Sequence, residues 1–512
     1  MFVCLLAFVP KVVRAETPAR STHYLVALHG IGHGVADFGS LQQALETSQP
    51  QIGTQLKVIY FKYDTSPDAQ TIADLKVQFK NFLKTELWKW QQSNSEELGL
   101  SQNANFQISF LGYSLGGLIL QEALLDEDFF TWFPRSALRN IFLVANPYWG
   151  SLIANWGTTL KPLIGEIPFY SVFGKTLLQE LSLNSQANSL RLRLAHDTKT
   201  QQRLQDIFSQ TSVIQIAGIT NPERFPFPAL ADAIPYIESD IAVPVSHAQW
   251  NHRYFIEDVS RSFISAEQFQ SLQLPYEFYL VDGTHLPAAK HFLDKPWRDL
   301  LNLNYISLME VDPNCVNDVE HCPQEVYKII YHQFANTKSS QIANRLVNTS
   351  VPTHLKSNSI QSYQEQKATA LTISKQGMSN LSVPTPVLNR LTVQLELLSD
   401  PDSQGSGHKY QVIFDNPSFA LVDSSSSSKG HSFYFVGQAL PFANLTSPAF
   451  FQYTSIKSLN ENSGISILGL TKEIHFEKMY VQLVDANGKI LKKKTIEIPM
   501  EPGILNFIRI SL

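Results

Sequence analysis

The residues best suited to chemistry in this sequence surround Ser114. Gly112, Ser114 and Gly116 form a G-x-S-x-G motif within FQISFLGYSLGGLILQEAL. An apolar, strand-like run reaches Leu111 and a helical pattern begins after Gly117, a context that holds a serine in a strained turn with its hydroxyl exposed. The glycines let strand and helix approach closely, and the helix N-terminus favours developing negative charge. The motif predicts a nucleophilic serine; the alternative is a glycine-rich turn with an inert serine.

A serine hydroxyl needs a base to accept its proton, and histidine is the usual base. For a nucleophile in such a strand-to-helix turn, the order along the chain is Ser, then Asp or Glu, then His. His285 follows the strand-like run YEFYLV in the loop DGTH, where a strand end would deliver it to the site. We therefore predict His285 as the base, and His247, His252 and His291 are the competing histidines.

The elements that must position these residues alternate in type from residue 23 to about residue 335. Nearly continuous apolar runs alternate with longer helical patterns, as in a parallel sheet covered by helices. The strand-like runs are HYLVALHG, LKVIYFKY, FQISFLG, NIFLVAN, SVIQIAG and YEFYLVDG. Apolar residues recur at helical spacing between Ile72 and Trp90. These patterns predict the α/β fold class.

Five motifs in this region resemble those of α/β-hydrolase lipases and esterases. They are HGIGHG after the first strand, GYSLGG at the serine, NPYWGS after the next strand, IAG, and ESDIAVPV. The pattern is most similar to bacterial lipases, palmitoyl-thioesterase-like enzymes and inositol deacylases acting on glycolipid anchors. The resemblance covers residues 23 to about 290. It implies an α/β-hydrolase fold and hydrolysis of lipid or acyl esters through an acyl-enzyme.

The resemblance also implies which acid orients the histidine. Proteins of this branch read Ser-Asp-Gly-x-Val-Pro around their acid, and Asp240 falls on the aspartate of that pattern. This chain has Ile241 where glycine is usual, and Asn146 where Thr-Pro is more common before the Gly-Ser pair. Asp240 is therefore the expected acid, with Asp232 and Glu238 as its rivals.

The oxyanion of a tetrahedral intermediate is stabilised in this fold by two backbone amides. By the resemblance these belong to Leu115, directly after the nucleophile, and to Ile31 in HGIGHG. The alternative for HGIGHG is an ordinary turn at the end of a strand. A metal site on His29 and His33 is a further reading, but no third ligand lies nearby in sequence. The implied chemistry needs no cofactor.

Other functions remain open with the same residues. An acyl-thioesterase or an acyltransferase uses the same triad, because only the leaving group or the acceptor differs. A different class is a non-catalytic binding protein built on a hydrolase fold, or a protein whose main task lies in its C-terminal β domain. Nucleic acid is not an expected partner, since 40 Lys and Arg stand against 45 Asp and Glu without a long basic block.

The length of 512 residues favours two units. We predict a hydrolase domain over residues 16–335, with a helical lid at about 151–208, followed by a polar linker over 336–385. The lid is rich in aromatic residues, which would form an apolar wall for acyl chains or the lid's own core. The linker is rich in Ser, Asn, Gln and Thr, so it predicts few contacts and separable folding.

Residues 386–512 show short runs with a period near two and predict a β-sandwich-like domain. The runs are LTVQLELL, KYQVIF, HSFYFVG, MYVQLVD and KTIEIP. Asn487-Gly488 predicts a hairpin, and the serine run 424–428 predicts a loop. Phe442, Phe450, Phe451 and the cluster Lys492–Lys494 indicate lipid-surface docking, or else a sandwich core with one solvated basic hairpin.

The N-terminus and the cysteines bear on the compartment. Residues 1–15 contain a short apolar run and a small-residue cleavage pattern, which predicts a secretory signal peptide and hence a periplasmic or secreted protein. Lys11 and Arg14 depart from that pattern, and a retained N-terminal segment is the alternative. Cys315 and Cys322 would then remain as an even pair and predict a disulfide, with two reduced thiols or a zinc site as alternatives.

Overall fold

The computed structural model describes most of the chain in separate segments. These are residues 22–32, 34–52, 55–98, 106–151, 153–155, 174–219, 239–240, 242–257, 261–272, 274, 276–285, 307–316, 318–319, 322–335, 349–350, 390–398, 408–415, 420–427, 430–438, 449–452, 475–500 and 504–512. The predicted signal peptide, residues 1–15, lies outside them. Within these segments, no helix is both long and apolar enough to cross a membrane.

The strands and helices are numbered in chain order. The strands are β1 (Thr22–Leu28), β2 (Gln55–Phe61), β3 (Gln107–Tyr113), β4 (Leu138–Val144), β5 (Ser212–Ile219), β6 (His252–Ile256), β7 (Phe263–Ile264), β8 (Gln270–Leu272), β9 (Glu277–Asp282), β10 (Thr349–Ser350), β11 (Arg390–Leu398), β12 (Lys409–Phe414), β13 (Ala420–Ser427), β14 (Gly430–Gln438), β15 (Ala449–Gln452), β16 (His475–Val484), β17 (Ile490–Met500) and β18 (Leu505–Ser511). The helices are α1 (Leu41–Thr47), α2 (Gln49–Ile52), α3 (Ile72–Leu98), α4 (Leu115–Leu124), α5 (Phe129–Trp132), α6 (Lys175–Leu181), α7 (Gln186–Ala195), α8 (Thr198–Gln210) and α9 (Glu325–Ala335).

A seven-stranded sheet forms the centre of the first region, in the order β10-β9-β5-β4-β3-β1-β2. All neighbours are parallel except β10, which pairs antiparallel with β9. The six predicted strands are its six parallel members, so the predicted fold class is confirmed. Their apolar residues are buried on both faces, in two separate clusters. The predicted helix is α3, whose Leu75, Phe79, Leu83 and Leu87 are buried against the sheet.

The predicted lid region contains α6, α7 and α8. Two of these helices begin at side chains that cap their first turn: Ser185 accepts from the Asn188 amide, and Asp197 accepts from the Thr200 amide. The aromatic residues that indicated an apolar wall fall outside the described residues: Trp156, Phe169, Tyr170 and Phe173.

The C-terminal strands form two sheets that share one apolar core. The six-stranded sheet has the order β13-β14-β11-β18-β6-β8, and the five-stranded sheet has the order β15-β12-β16-β17-β7. Val393 and Phe435 of the first sheet and Val412, Val481 and Ile496 of the second belong to the same buried cluster. This is the predicted sandwich, and all five predicted strands are present.

Two local predictions for the C-terminal region have different outcomes, one for the hairpin and one for the serine run. The Asn487-Gly488 hairpin joins β16 and β17, with Gly488 at a φ of 82°. The serine run was expected to form a loop, and that expectation is wrong for residues 424–427, which belong to β13 and pair with β14. The ladder to β14 satisfies the backbone of these serines and overrides their low strand propensity.

The sandwich is completed by strands from the first region. β18 pairs parallel with β6, from Leu505 opposite His252 to Arg509 opposite Ile256, and β17 pairs parallel with β7. β8 then extends the sheet beyond β6. A segment assigned by sequence to the hydrolase domain therefore belongs to both sheets of the sandwich, a feature that sequence patterns did not indicate.

A buried ion pair reinforces this shared structure. Lys494 Nζ on β17 lies 2.6 Å from Glu257 Oε2, which follows β6, and their side chains are 3% and 1% exposed. Glu257 also accepts hydrogen bonds from the backbone amides of Arg261 and Ser511. Each charge is therefore compensated mainly by a residue from the other region.

Replacing Lys494 with methionine should lower the free energy of unfolding by about 3–5 kcal/mol, because it leaves the Glu257 carboxylate buried without its cation. Combining Lys494→Met with Glu257→Gln should recover much of this loss, since the glutamine still accepts from Arg261. The exposed neighbour Lys493 is the matched control, and Lys493→Met should change stability by less than about 1 kcal/mol. Urea unfolding of the four proteins measures this. Equal losses in the two lysine variants would contradict the prediction.

Cys315 and Cys322 are joined in a disulfide, with their sulfur atoms 2.09 Å apart. Both residues are buried beside α9, in the cluster that covers one face of the central sheet. The bridge closes a short loop that precedes this helix.

Candidate active site

Ser114 lies in a sharp turn between β3 and α4. Its φ of 52° and ψ of −124° place a non-glycine residue in a strained conformation. The neighbouring glycines permit the turn: a Cβ at Gly116 would lie 2.3 Å from the Leu28 carbonyl oxygen, and one at Gly112 would lie 2.6 Å from Gly117 Cα. The glycines of the motif are therefore required by the close approach of β1, β3 and α4.

Asn146 holds the backbone of this turn from the end of β4. Its Nδ2 donates to the carbonyl oxygens of Gly112, at 3.1 Å, and of Ser114, at 2.8 Å. Its Oδ1 accepts from the Tyr148 hydroxyl at 3.1 Å. A Cβ at Gly117 would overlap the Asn146 amide. Sequence reasoning recorded Asn146 only as a departure from a pattern, and its place in NPYWGS was the available signal.

The structure brings Ser114, His285 and Asp240 into one hydrogen-bonded chain. Ser114 Oγ lies 2.7 Å from His285 Nε2, and His285 Nδ1 lies 2.8 Å from Asp240 Oδ2. The Asp240 carboxylate also accepts from the amides of Ala242 and Val243 through Oδ1. The His285 amide donates to the Asp240 carbonyl at 2.9 Å, so the two loops are joined by backbone as well as side chain.

Asp240 and His285 each lie after the end of a strand of the central sheet. Asp240 follows β5 and His285 follows β9, which are neighbours in the sheet. Gly218 of IAG leaves room for the acid, because a Cβ there would lie 2.7 Å from Asp240 Cβ. The close approach explains why a glycine precedes the acid segment.

Two of the alternative residues, His247 and His252, lie within the described structure, and neither is hydrogen-bonded to Ser114 or Asp240. His247 is buried with Nδ1 donating to the Gly150 carbonyl, and burial lowers its pKa to about 3. His252 is buried and donates to the Trp250 carbonyl. The remaining rivals, His291, Asp232 and Glu238, fall outside the described residues.

The loop after β1 contains Ile31, the predicted oxyanion donor. The Gly30 amide donates to Asp37 Oδ2 at 2.9 Å, and the Gly32 amide donates to Thr65 Oγ1 at 3.0 Å. The Ile31 amide lies between these two engaged amides. Leu115 is the first residue of α4, so its amide has no partner within the helix. The neighbouring Gly30 lies close to the serine, since a Cβ built on it would be 3.1 Å from Ser114 Cβ, and the assignment of Ile31 and Leu115 as oxyanion donors stays a prediction.

His29 has a structural position in this loop. Its Nδ1 bonds the Gly30 carbonyl at 2.7 Å, its Nε2 accepts from the Tyr63 amide at 3.5 Å, and its ring stacks on Tyr63 at 3.9 Å. Burial lowers its pKa, which favours the neutral ring. His33 falls outside the described residues, and those that are described contain no group of three or more His, Cys, Asp or Glu suited to a metal ion.

The site is enclosed. Ser114 is 4% exposed and the His285 side chain 11% exposed. The sequence predicts a serine that projects openly from the turn, and this expectation is wrong. The Tyr113 hydroxyl donates to the His285 carbonyl and its ring stacks against the imidazole at 5.2 Å, which helps to fix the histidine.

An apolar cavity of about 390 Å³ lies under the lid helices. It is bounded by α3, α4, α7 and α8, and its apolar lining includes Leu125, Trp149, Leu194, Leu204 and Trp250. The α4 residues in its lining, Gln121 and Glu122, lie at the C-terminal end of the helix, whereas Ser114 precedes the N-terminal end. The cavity is therefore distinct from the space around the serine hydroxyl.

Comparison with known proteins relates the first region to a protein family. A family model described as "Putative serine esterase (DUF676)" matches residues 18–227, which include Ser114 and the loop after β1. This part of the chain is therefore similar to that serine esterase family, and its central sheet has the predicted α/β-hydrolase fold. No curated protein matches the sequence.

Solved structures extend the likeness beyond this α/β-hydrolase domain. Phospholipase PlaB from Legionella pneumophila, in complex with thio-NAD, is similar at 12% identity over 96% of this chain and 93% of that chain, with a TM-score of 0.55. A second structure of the same phospholipase is similar at 13% identity, with the same coverage and TM-score. The shared fold therefore includes the C-terminal sheets as well as the α/β-hydrolase domain.

The residues that indicated lipid-surface docking are placed differently from that expectation. Lys494 is buried in its ion pair with Glu257, so Lys492–Lys494 is not a fully exposed cluster. Phe450 and Phe451 belong to β15 rather than to a loop. Phe442 falls outside the described residues. The buried lysine favours the sandwich interpretation at this position.

Proposed function

We propose that this protein is a serine hydrolase that cleaves lipid or acyl esters through an acyl-enzyme. The observation that carries the proposal is the chain from Ser114 Oγ to His285 at 2.7 Å and on to Asp240 at 2.8 Å. It occurs at a strained strand-to-helix turn, where a serine is presented to a substrate carbonyl. The match to a serine esterase family model supports the same reaction.

The acylation step follows from this geometry. Ser114 Oγ attacks the ester carbonyl carbon while His285 Nε2 takes the hydroxyl proton. Asp240 stabilises the imidazolium and keeps Nδ1 protonated. The backbone amides of Ile31 and Leu115 donate to the oxyanion, and each such donor lowers the barrier by about 2.7–4 kcal/mol. The intermediate then collapses, His285 returns the proton to the leaving alkoxide, and an alcohol departs.

The deacylation step uses the same groups. Water attacks the acyl carbonyl, His285 takes a proton from the water, and the second tetrahedral intermediate collapses. Ser114 recovers its proton from His285 and a carboxylic acid is released. Asp240 takes no proton in either step, and its oxygens accept from His285 and from two backbone amides.

The proposed preference for a lipid ester is based on the similarity to a solved phospholipase structure. The structural neighbour of nearly equal length is described as a phospholipase. Export to a periplasmic or extracellular space is a further part of the proposal, and the Cys315–Cys322 bond supports it, because such bonds persist mainly in oxidising compartments. Contact with a lipid surface remains a proposal as well.

Fluorophosphonate labelling tests the central claim. The probe should phosphonylate Ser114 in the native protein, and mass spectrometry of the digest should find one adduct on the peptide that contains it. Esters of graded chain length, phospholipid vesicles and an acyl-thioester should then be assayed in parallel. Hydrolysis of the oxygen esters, with a loss of turnover that matches the extent of labelling, is the expected result.

Two controls separate the rival functions. Heat-unfolded protein should not label, because the hydroxyl is reactive only beside His285. A thioester cleaved far faster than its oxygen ester would assign a thioesterase, and acyl transfer to an added alcohol in preference to water would assign an acyltransferase. Failure to label and to hydrolyse any member of the panel would contradict the proposed function.

A further inference from the structure

Asp37 is a buried carboxyl group beside the candidate active site that the triad does not use. It lies in a short 3₁₀ helix, Gly34–Phe38, that follows the HGIGHG motif. The residue is 2% exposed. Its Oδ2 accepts from the Gly30 amide at 2.9 Å, whereas its Oδ1 has no hydrogen-bond partner within the described structure.

Gly30 connects this carboxyl group to the serine. A Cβ built on Gly30 would lie 3.1 Å from Ser114 Cβ and 3.3 Å from Asp37 Oδ2. The loop therefore passes directly between Ser114 and Asp37. Because Ile31 follows Gly30, the hydrogen bond to Asp37 fixes the peptide unit adjacent to the proposed oxyanion donor.

The titratable groups around Asp37 define its electrostatic role. His285 in its positive form attracts the carboxylate, whereas Glu310 repels it. Burial raises the pKa of the Tyr63 and Tyr113 phenols, and the negative charge of Asp37 raises both further. Burial raises the pKa of Asp37 from its ordinary value of 3.8 to about 7. The group can therefore change charge in the neutral range.

We propose that Asp37 is a positioning residue, whose carboxylate holds the oxyanion loop through Gly30 and stabilises the positive charge that develops on His285. This inference rests on the proposed function. No covalent step is added: the proton still moves from Ser114 to His285 and then to the leaving group, and Asp37 remains ionised during turnover. Its two contributions act in the transition state, when the imidazolium and the oxyanion both exist.

The proposal predicts a two-proton loss of activity in acid. The active form needs a neutral His285 as the base and an ionised Asp37. As the pH falls below about 7, Asp37 gains a proton because burial raises its pKa, and this proton adds to the one that inactivates any neutral histidine base. A plot of log kcat/KM against pH should therefore approach a slope of two on its acid side.

Asp37→Asn and Asp37→Leu separate the two contributions. The asparagine can still accept from Gly30 but carries no charge, so the acid slope should fall to one and kcat on the alkaline plateau should fall about tenfold. The leucine removes the acceptor too, so kcat should fall by a further factor of about 10², as when oxyanion stabilisation is lost. KM should change little in both, because substrate binding precedes the charges that Asp37 stabilises.

A stability measurement separates this role from a merely structural one. With a raised native pKa, the native state holds a proton that the unfolded state releases between pH 4 and 7, so wild-type stability should fall as the pH rises across that interval. Asp37→Asn should flatten this dependence. Asp64→Asn is the matched control, because Asp64 is an exposed carboxylate beside Tyr63 whose pKa is lowered by its hydrogen bonds to Ser66, so above about pH 5 both the pH–activity and the pH–stability profiles should have the wild-type shape.

Different outcomes count against different claims. If the wild type labels and hydrolyses esters while Asp37→Asn retains the wild-type kcat and acid slope, the role of Asp37 is overturned. A lower melting temperature with an unchanged acid slope overturns it equally, since that pattern belongs to packing alone. If Asp37→Leu does not fold, the slope and kcat of Asp37→Asn decide. A wild type without hydrolase activity instead removes the proposed function.

Discussion

Replacing Ser114 with alanine is expected to lower kcat for ester hydrolysis by about 10⁶ and to abolish fluorophosphonate labelling. The hydroxyl is the atom that forms the acyl-enzyme, and its oxygen lies 2.7 Å from the base. The remaining site would still bind substrate and donate two amides, but it would lack the nucleophile. Single-turnover assays with an activated ester, together with labelling, measure the loss, and the circular dichroism spectrum should remain that of the wild type.

Matched variants make this result specific. Ser109 is a buried serine on the same strand whose Oγ bonds His23 and Asn140, so Ser109→Ala should lower stability by about 1 kcal/mol without a large effect on kcat. His285→Ala should resemble Ser114→Ala. His247→Gln should spare kcat in the folded protein, because His247 bonds a carbonyl and not the serine. Full activity in Ser114→Ala would contradict the assignment of the nucleophile.

Much of the first region could be predicted because burial on both faces imposes a visible pattern. β1, β3 and β4 lie inside the parallel sheet, so their sequences are nearly continuous apolar runs. By contrast β7 has two residues and β8 has three, which is too short for a periodic signal. The pairing of β6 with β18 joins segments about 250 residues apart, and no local pattern encodes such a partner.

A run of charged residues predicts solvent exposure only if no residue elsewhere in the chain supplies the opposite charge. Lys492–Lys494 looks solvated in sequence, yet Lys494 is buried because Glu257 supplies the opposite charge from the first region. Asp37 is the complementary case. Its carboxylate, eight residues after His29, could have been noted as part of the loop, but its burial and its bond to Gly30 depend on how the loop folds over Ser114.

In the candidate site, too, some residues could be predicted from local sequence and others depend on tertiary contacts. Ser114 could be found from local geometry, because the turn requires glycines at fixed offsets. His285 could be placed by the end of its strand, and Asp240 by resemblance. Asn146 was missed as a contributor, since its function depends on two carbonyl groups that lie more than 30 positions earlier in the sequence. Positioning residues of this kind become visible only when the strands are side by side.

Removing residues 386–512 is expected to destroy the folded hydrolase rather than only its action on lipid. The polar linker predicts separable folding and therefore an unaffected turnover of small soluble esters. The structure supports the opposite expectation, because Tyr434, Val436, Leu505 and Phe507 belong to the same buried cluster as the helices that cover the central sheet. Deleting one large buried aromatic side chain costs about 3–5 kcal/mol. Removing all four, two aromatic and two aliphatic, is comparable to the whole 5–15 kcal/mol by which a typical domain is stable.

The truncation would also leave strand edges and a buried carboxylate of the first region without their partners. β6 and β7 would lose their parallel partners, and unpaired strand edges favour aggregation. Glu257 would lose Lys494, and Asn184, which precedes α7, would lose its bond to Ser432. We therefore expect insoluble protein, or soluble protein without a cooperative melting transition and without turnover of either soluble or dispersed esters.

A cut that leaves every residue in place is the decisive control for this truncation. A specific protease site inserted within residues 351–389 should allow cleavage of the folded protein into two fragments that remain associated, because the strand pairs and the buried cluster do not depend on the connection. Soluble-ester turnover should then survive cleavage, whereas the fragment that ends at residue 385 should be inactive when produced alone. A soluble, monomeric fragment 1–385 with wild-type turnover would show that the sandwich contributes nothing to the hydrolase fold, and that the shared strands are dispensable.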